Sequence, residues 1–239
     1  MQSTRLPGKV LLPLPQPDGE KVLKIIVDRI KESKKVDAVI IAIPDTEADI
    51  PLFNYTKNLQ NADGVIRGSE INVLQRFIDA TELSSSEYII RLTGDNPLID
   101  TAIIDEAISY IQSNSSTDYL ITTGLPIGLN IEVVKTSALK ACASLKDLKE
   151  IDKEHVTIGI RSRPDLFNTA TLDLTERWKG AEARFTLDTE EDYTFLNAIF
   201  YCMKINKYPY NLEYLQLLLK QAPWLVDINK NVMQKQVIN

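Results

Sequence analysis

Cysteine and histidine are scarce in this 239-residue sequence, which has only Cys142, Cys202 and His155. Two cysteines in ordinary settings build neither a disulfide framework nor a zinc site, and they fit a reducing, cytoplasmic compartment. Positive charge is short as well. The formal net charge is −6 and no basic block stands out, so a surface that neutralises several phosphates of a duplex is not expected and no nucleic-acid partner is inferred. A few Arg and Lys residues can still hold a small anionic substrate. Long apolar runs are missing too: no stretch resembles a signal peptide or reaches the length that crosses a bilayer, so neither secretion nor membrane insertion is expected. Internal repeats, low-complexity linkers and heptads are likewise absent. What remains is an ordinary globular composition, 44% hydrophobic and 25% charged, with the length of one sizeable domain over residues 1–239. Residues 222–239 read as its C-terminal tail or docking segment.

The stretch Tyr88-Ile-Ile-Arg-Leu-Thr-Gly-Asp-Asn-Pro-Leu-Ile-Asp100 organises the rest. Tyr88, Ile89, Ile90 and Leu92 form a short apolar run, and Gly94, Asn96 and Pro97 stop it in a turn. A buried strand that delivers carboxylates to its C-terminal tip is the pattern of ligand sites in open α/β sheets. Asp95 on that turn suits a hard cation held against a phosphate, or it only supports the turn through nearby N–H groups. Asp100, at the start of an apolar-periodic segment, is explained by helix capping.

Upstream, Ser3-Thr4-Arg5-Leu6-Pro7-Gly8-Lys9 combines two cations with a turn. Arg5 can grip phosphate oxygens through two nitrogens and Lys9 can supply a point charge, although a charged tail explains the same residues. Residues 20–34 place Leu23, Ile26, Val27 and Ile30 at helical spacing. Residues 37–44 read as a buried parallel strand, 47–61 as partly helical, 64–67 as a strand, and 69–83 as a helix with Ser69 at its N-cap. Residues 101–113 form a strongly amphipathic helix. Strands follow over 118–122 and 130–134, a helix over 136–148, and a helix or turn over 152–161 that carries Glu154 and His155. A lone histidine is more often structural than catalytic. Residues 166–174 and 184–187 read as strands. The second of these ends at Asp188, just before a Thr189 cap whose Glu190, Glu191 and Asp192 suit the helix dipole. Helices over 193–207 and 214–221 close the pattern.

Taken together, Ser3–Lys9, Arg67-Gly-Ser-Glu70 with Val73, Leu74, Arg76 and Phe77, Thr93–Asp100, Gly128-Leu-Asn-Ile-Glu-Val133, Glu154-His-Val-Thr157 and Leu187–Tyr193 resemble the cytidylyltransferase family. The nearest branch is the spore-coat polysaccharide type, related to the enzymes that make CMP-activated acidic sugars. The resemblance implies a three-layer α/β/α, Rossmann-like fold of the nucleotide-diphosphosugar transferase type with a mostly parallel sheet. It also implies CTP as donor, Mg²⁺ as cofactor, a small sugar acceptor and pyrophosphate as product. By the same resemblance, Arg5 and Lys9 are expected at the CTP phosphates, Asp95 and Asp188 at the metal, and Ser3, Ser69 and Glu70 at the nucleotide. Asn130, Glu132 and His155 fall in segments that border the acceptor, and a homodimer is plausible.

The sequence departs from the family pattern in three places. The apolar first strand that leads into the phosphate loop is not seen before Arg5, and because that strand is central, two neighbouring strands are expected to lack their partner. Residues 13–21 replace a compact turn with a longer, proline-rich one. Asn130 stands where many relatives carry Asp. A glycosyltransferase of the related nucleotide-sugar-binding fold, or a non-catalytic homologue, remains as the alternative reading.

Overall fold

The computed structural model describes residues 5–234 and has the expected α/β architecture. A small hairpin, β1 (Pro13–Leu14) with β2 (Glu20–Lys21), fills the proline-rich stretch. It leads into α1 (Val22–Lys31), whose Leu23, Ile26, Val27 and Ile30 are all buried as the 3.6-residue period requires. Then β3 (Ile40–Pro44) is joined by α2 (Ile50–Thr56) to β4 (Gly64–Gly68), and β4 pairs parallel to β3 with Ile40 opposite Gly64. Next come α3 (Val73–Ser84), β5 (Tyr88–Arg91), α4 (Thr101–Ser113), β6 (Tyr119–Thr123), β7 (Glu132–Lys135) and α5 (Thr136–Ala143). The chain continues through α6 (Glu150–His155), α7 (Ile158–Arg161), β8 (Thr169–Asp173), α8 (Glu190–Asn206) and α9 (Leu212–Gln221).

The larger sheet has the order β5-β7-β6-β8. Strands β5, β6 and β8 run in one direction and only β7 opposes them, so the sheet is mostly parallel in sense. Among the described residues, β3 and β4 form a second sheet with no ladder to the first. One apolar core nevertheless joins the layers, from Leu6 through Val22, Ile104, Leu120 and Phe195 to Leu225. Leu225 is completely buried in a 3₁₀ turn over Pro223–Ile228, so this part of the 222–239 segment docks on the core.

Two expectations need correction. Ser69 does not cap α3: its Oγ accepts from the Asn72 N–H at 3.0 Å, and Asn72 takes the cap by accepting from Gln75 N–H at 3.0 Å. A serine oxygen used one turn earlier shifts the helix start by three residues. Residues 184–187 are not a strand. Arg184 makes a single bridge with Ile127, while Phe185 and Leu187 are apolar because they are wholly buried, not because they extend a ladder.

Asp100 caps α4 as expected, accepting from Ala102 N–H at 2.9 Å. Its second oxygen accepts from Leu212 N–H at 2.7 Å and so joins the starts of α4 and α9. Asp100→Ala loses both bonds at a buried position and is expected to cost about 1–3 kcal/mol. Urea unfolding checks this as a lower midpoint at unchanged slope.

Candidate functional site

The site is assembled from two loops and the N-terminal segment. Gly8 adopts φ 71°, in the left-handed region where glycine carries no Cβ penalty, and starts a 3₁₀ turn over Lys9–Leu11. The turn directs the Lys9 side chain inward. Lys9 Nζ donates to Asp95 Oδ2 at 2.8 Å and to Asp188 Oδ1 at 2.9 Å, so a single ammonium sits between the two acids read as metal ligands. Backbone bonding fixes the acids' proximity, because Leu187 N–H donates to the Asp95 carbonyl at 2.8 Å. Thr93 Oγ1 donates to Asp95 Oδ1 at 2.5 Å and holds the remaining oxygen. Arg5 reaches Asp188 Oδ2 at 3.2 Å from a partly exposed position, which leaves its guanidinium available to a ligand from solvent.

Asp188 is backed by a buried group of residues that sequence patterns left unassigned. Arg184 Nη2 bonds Asp188 Oδ2, while its Nε donates to Asp192 Oδ1 at 2.9 Å. Asp192 is completely buried, and its Oδ2 accepts from the N–H groups of Asp188 at 3.0 Å and Thr189 at 3.2 Å. Asn229 closes the group with bonds to Asp192 Oδ1 at 2.9 Å and to the Arg184 carbonyl at 3.0 Å. Asp192 is thus more than a helix-dipole acid. Arg184, Asp188 and Asp192 recur at intervals of four, and that spacing was the one signal in the sequence. Burial alone would raise the pKa of Asp188, but the Lys9 hydrogen bond with the charges of Lys9, Arg5 and Arg184 outweighs it and holds the carboxyl below its ordinary value.

Beside this cluster lies a cavity of about 180 Å³ lined by residues that include Arg91, Thr93, Asn96, Asn130 and Glu132. It shares the Thr93–Asn96 turn with Asp95. Glu132 faces Arg91 across the β5–β7 pair and accepts from Arg91 Nη1 at 2.8 Å, Tyr119 OH at 2.6 Å and Thr157 Oγ1 at 3.0 Å. Burial, followed by the Glu132 charge, raises the pKa of Tyr119, so the phenol stays a donor. Asn130 Nδ2 donates to the Leu125 carbonyl at 2.8 Å and so also holds its own loop.

The cluster and cavity take in some of the residues singled out from sequence and leave others outside. Arg5, Lys9, Asp95 and Asp188 meet in one ionic cluster, and Asn130 and Glu132 line the adjoining cavity. Ser69 and Glu70 lie on the β4–α3 loop, and the hydrogen bonds of the Lys9 cluster do not include them. His155 is not among the residues lining the cavity; its carbonyl accepts from Thr157 N–H at 2.6 Å, so its link to Glu132 runs through Thr157. Ser3 lies outside the described residues. No helix among the described residues is long and apolar enough to cross a membrane.

A divalent cation suits this arrangement on chemical grounds. Two carboxylates converge on one position that already holds a positive charge. Among the described residues no group of three or more His, Cys, Asp or Glu side chains could hold a metal. Two carboxylates with the remaining ligands from phosphate and water is a common Mg²⁺ arrangement.

Comparison with known proteins fits this geometry. A family profile described as cytidylyltransferase matches residues 1–228. The chain is 37% identical over 204 residues to the spore coat polysaccharide biosynthesis protein SpsF of Bacillus subtilis, covering 84% of this chain and 82% of that protein. Its fold matches a cytidylyltransferase structure from Leptospira borgpetersenii with a TM-score of 0.81 and 27% identity, over 99% of this chain and 95% of that one. It also matches a CMP:2-keto-3-deoxy-manno-octonic acid synthetase complexed with CTP, with a TM-score of 0.60 and 14% identity, over 85% of this chain and 95% of that one.

Proposed function

This chain belongs to the cytidylyltransferase family, and from that premise we propose that it transfers CMP from CTP to a sugar or sugar acid, releasing pyrophosphate, in the assembly of a surface polysaccharide or glycan. The observation that carries this reading is the convergence of Asp95 and Asp188 on Lys9, with Arg5 at the edge. Arg5 at the partly exposed edge suits a triphosphate, and the paired acids suit the cation that accompanies it.

In this reading Arg5 and Lys9 hold the phosphates and Asp95 and Asp188 hold Mg²⁺, which when bound would neutralise charge on the triphosphate. Thr93 and Arg184 fix the orientation of the two carboxylates. The cavity beside Asp95 takes the acceptor, placing a sugar hydroxyl next to the nucleotide. Attack of that oxygen on the α-phosphorus forms the new P–O bond as the bond to pyrophosphate breaks, and the hydroxyl proton is lost. Positioning and charge neutralisation carry most of the rate enhancement, and no covalent enzyme intermediate is required. The enzyme acts in the cytoplasm, where CTP is made available to it.

Pyrophosphate release from CTP and Mg²⁺ is the direct assay, run with a panel of neutral hexoses, N-acetylhexosamines and 2-keto-3-deoxy sugar acids. Acceptor-dependent release is expected. Sugar transfer from a nucleotide sugar, with no pyrophosphate formed from CTP, would instead support a glycosyltransferase.

A further inference from the structure

Resting on the cytidylyltransferase reading just given, we propose that Lys9 is an internal counter-cation that bars a free divalent ion from Asp95 and Asp188 and yields its place only to a cation that arrives with a triphosphate. Lys9 Nζ lies 2.8 Å from Asp95 Oδ2 and 2.9 Å from Asp188 Oδ1, in the position that a metal ion shared by those two oxygens has to take. The Lys9 side chain is only 14% exposed, so its ammonium has given up most of its water and the carboxylates stand in for it. Two cations cannot share that position.

The remaining oxygens are engaged as well. Asp95 Oδ1 accepts from Thr93 Oγ1 at 2.5 Å, and Asp188 Oδ2 is paired with Arg184 and, at 3.2 Å, with Arg5. Charge is also matched, since Asp95, Asp188 and Asp192 stand against Lys9, Arg5 and Arg184 in one connected network. A divalent ion approaching this balanced group finds no net negative charge to draw it in.

Either half of the substrate alone leaves charge unmatched. A metal ion that displaced Lys9 would strand the ammonium in a partly buried place with no anion, and a triphosphate that drew Lys9 away would set its own charge against two uncovered carboxylates. Together they balance: the acids release Lys9 and take the metal, while Lys9 and Arg5 turn to the phosphates. The flexible stem of a lysine allows that turn without movement of the backbone. Binding of metal and nucleotide is therefore reciprocally coupled, and the substrate that this site takes is the metal–CTP complex.

The test uses the full chain with Mn²⁺ alone as the probe, free ion being read by electron paramagnetic resonance with no nucleotide added. Wild-type protein is expected to bind Mn²⁺ weakly. Lys9→Met removes the ammonium while keeping a long side chain, and is expected to bind one Mn²⁺ about tenfold or more tighter, an ordinary size for coupling between ligands. Lys9→Gln serves as a second neutral variant. Adding Asp95→Asn to either should cancel the gain, which a merely structural role for Lys9 would not produce. Thermal unfolding gives an independent reading: Mn²⁺ should raise the Tm of the neutral variants and leave that of wild type nearly unchanged, because a ion stabilises only the state that it binds. The assignment is overturned if wild-type protein binds Mn²⁺ as tightly as the Lys9 variants, or if the gain survives Asp95→Asn. Tight Mn²⁺ binding by wild-type protein that Asp95→Asn abolishes overturns it even without the Lys9 variants. Calorimetry of wild-type protein with CTP and Mg²⁺ together separates the two levels: no CTP binding would defeat the cytidylyltransferase reading, whereas CTP binding with equal Mn²⁺ affinity in wild type and variants would defeat only the role of Lys9.

Discussion

Asp95→Asn and Asp188→Asn are each expected to lower kcat/KM for pyrophosphate release by about a hundredfold or more, the scale on which removal of one preorganised electrostatic group acts. Both oxygens of each acid are engaged, Asp95 by Thr93 and Lys9, Asp188 by Lys9, Arg5 and Arg184. An amide keeps the shape but loses the charge that orders these cations. On the proposed role the Mg²⁺ concentration needed for half-maximal rate also rises, because a carboxylate ligand has become neutral. The check is a Mg²⁺ titration of initial rates for the three proteins. Equal, measurable rates in all three would mean that the cluster is an ionic tie within the fold and that the reaction does not use it, while no release by any of the three would mean a non-catalytic homologue.

A second large effect concerns stability. Arg184→Met leaves Asp192, completely buried, without the guanidinium that bonds both of its oxygens. Removing one partner of a buried ion pair costs about 3–5 kcal/mol because the other charge stays uncompensated, which for a chain of this length corresponds to a fall in Tm of roughly 10 °C. Asp192 keeps bonds from two backbone N–H groups and Asn229, so the double variant Arg184→Met with Asp192→Asn should recover part of the loss. Denaturant unfolding of the single and double variants checks both statements. A double variant no more stable than Arg184→Met would show that the penalty is lost packing and not unpaired charge.

Those two residues also show where the sequence stopped being legible. Helix α4 could be read to the residue, since Ile103, Ile104, Ala107, Ile108 and Ile111 keep one period and Asp100 caps it; local chemistry decides such an element. Lys9, Asp95 and Asp188 stood out on their own turns, but that Lys9 bridges the two acids was not legible, because they come from segments 86 and 179 residues from it. Asp192 was hidden by a sufficient local explanation. An acid in the first turn of a helix needs no partner, and Asn229, which bonds it, lies 37 residues further on. Arg91 was read as one residue of a buried strand. Its pairing with Glu132 depends on β7 lying antiparallel beside β5, which strand periodicity does not reveal. The Ser69 cap failed on a finer point: Ser69 and Asn72 are both good capping residues, and only the path of the β4–α3 loop selects between them.

The most direct test of the account is ³¹P NMR of a reaction containing this protein, CTP, Mg²⁺ and an accepted sugar. The CTP triphosphate signals should give way to pyrophosphate and to one phosphodiester resonance, the CMP-sugar, in equal amounts and only when the sugar is present. Conversion of CTP to CMP and pyrophosphate without that phosphodiester, or CTP left intact with every sugar offered, would contradict it.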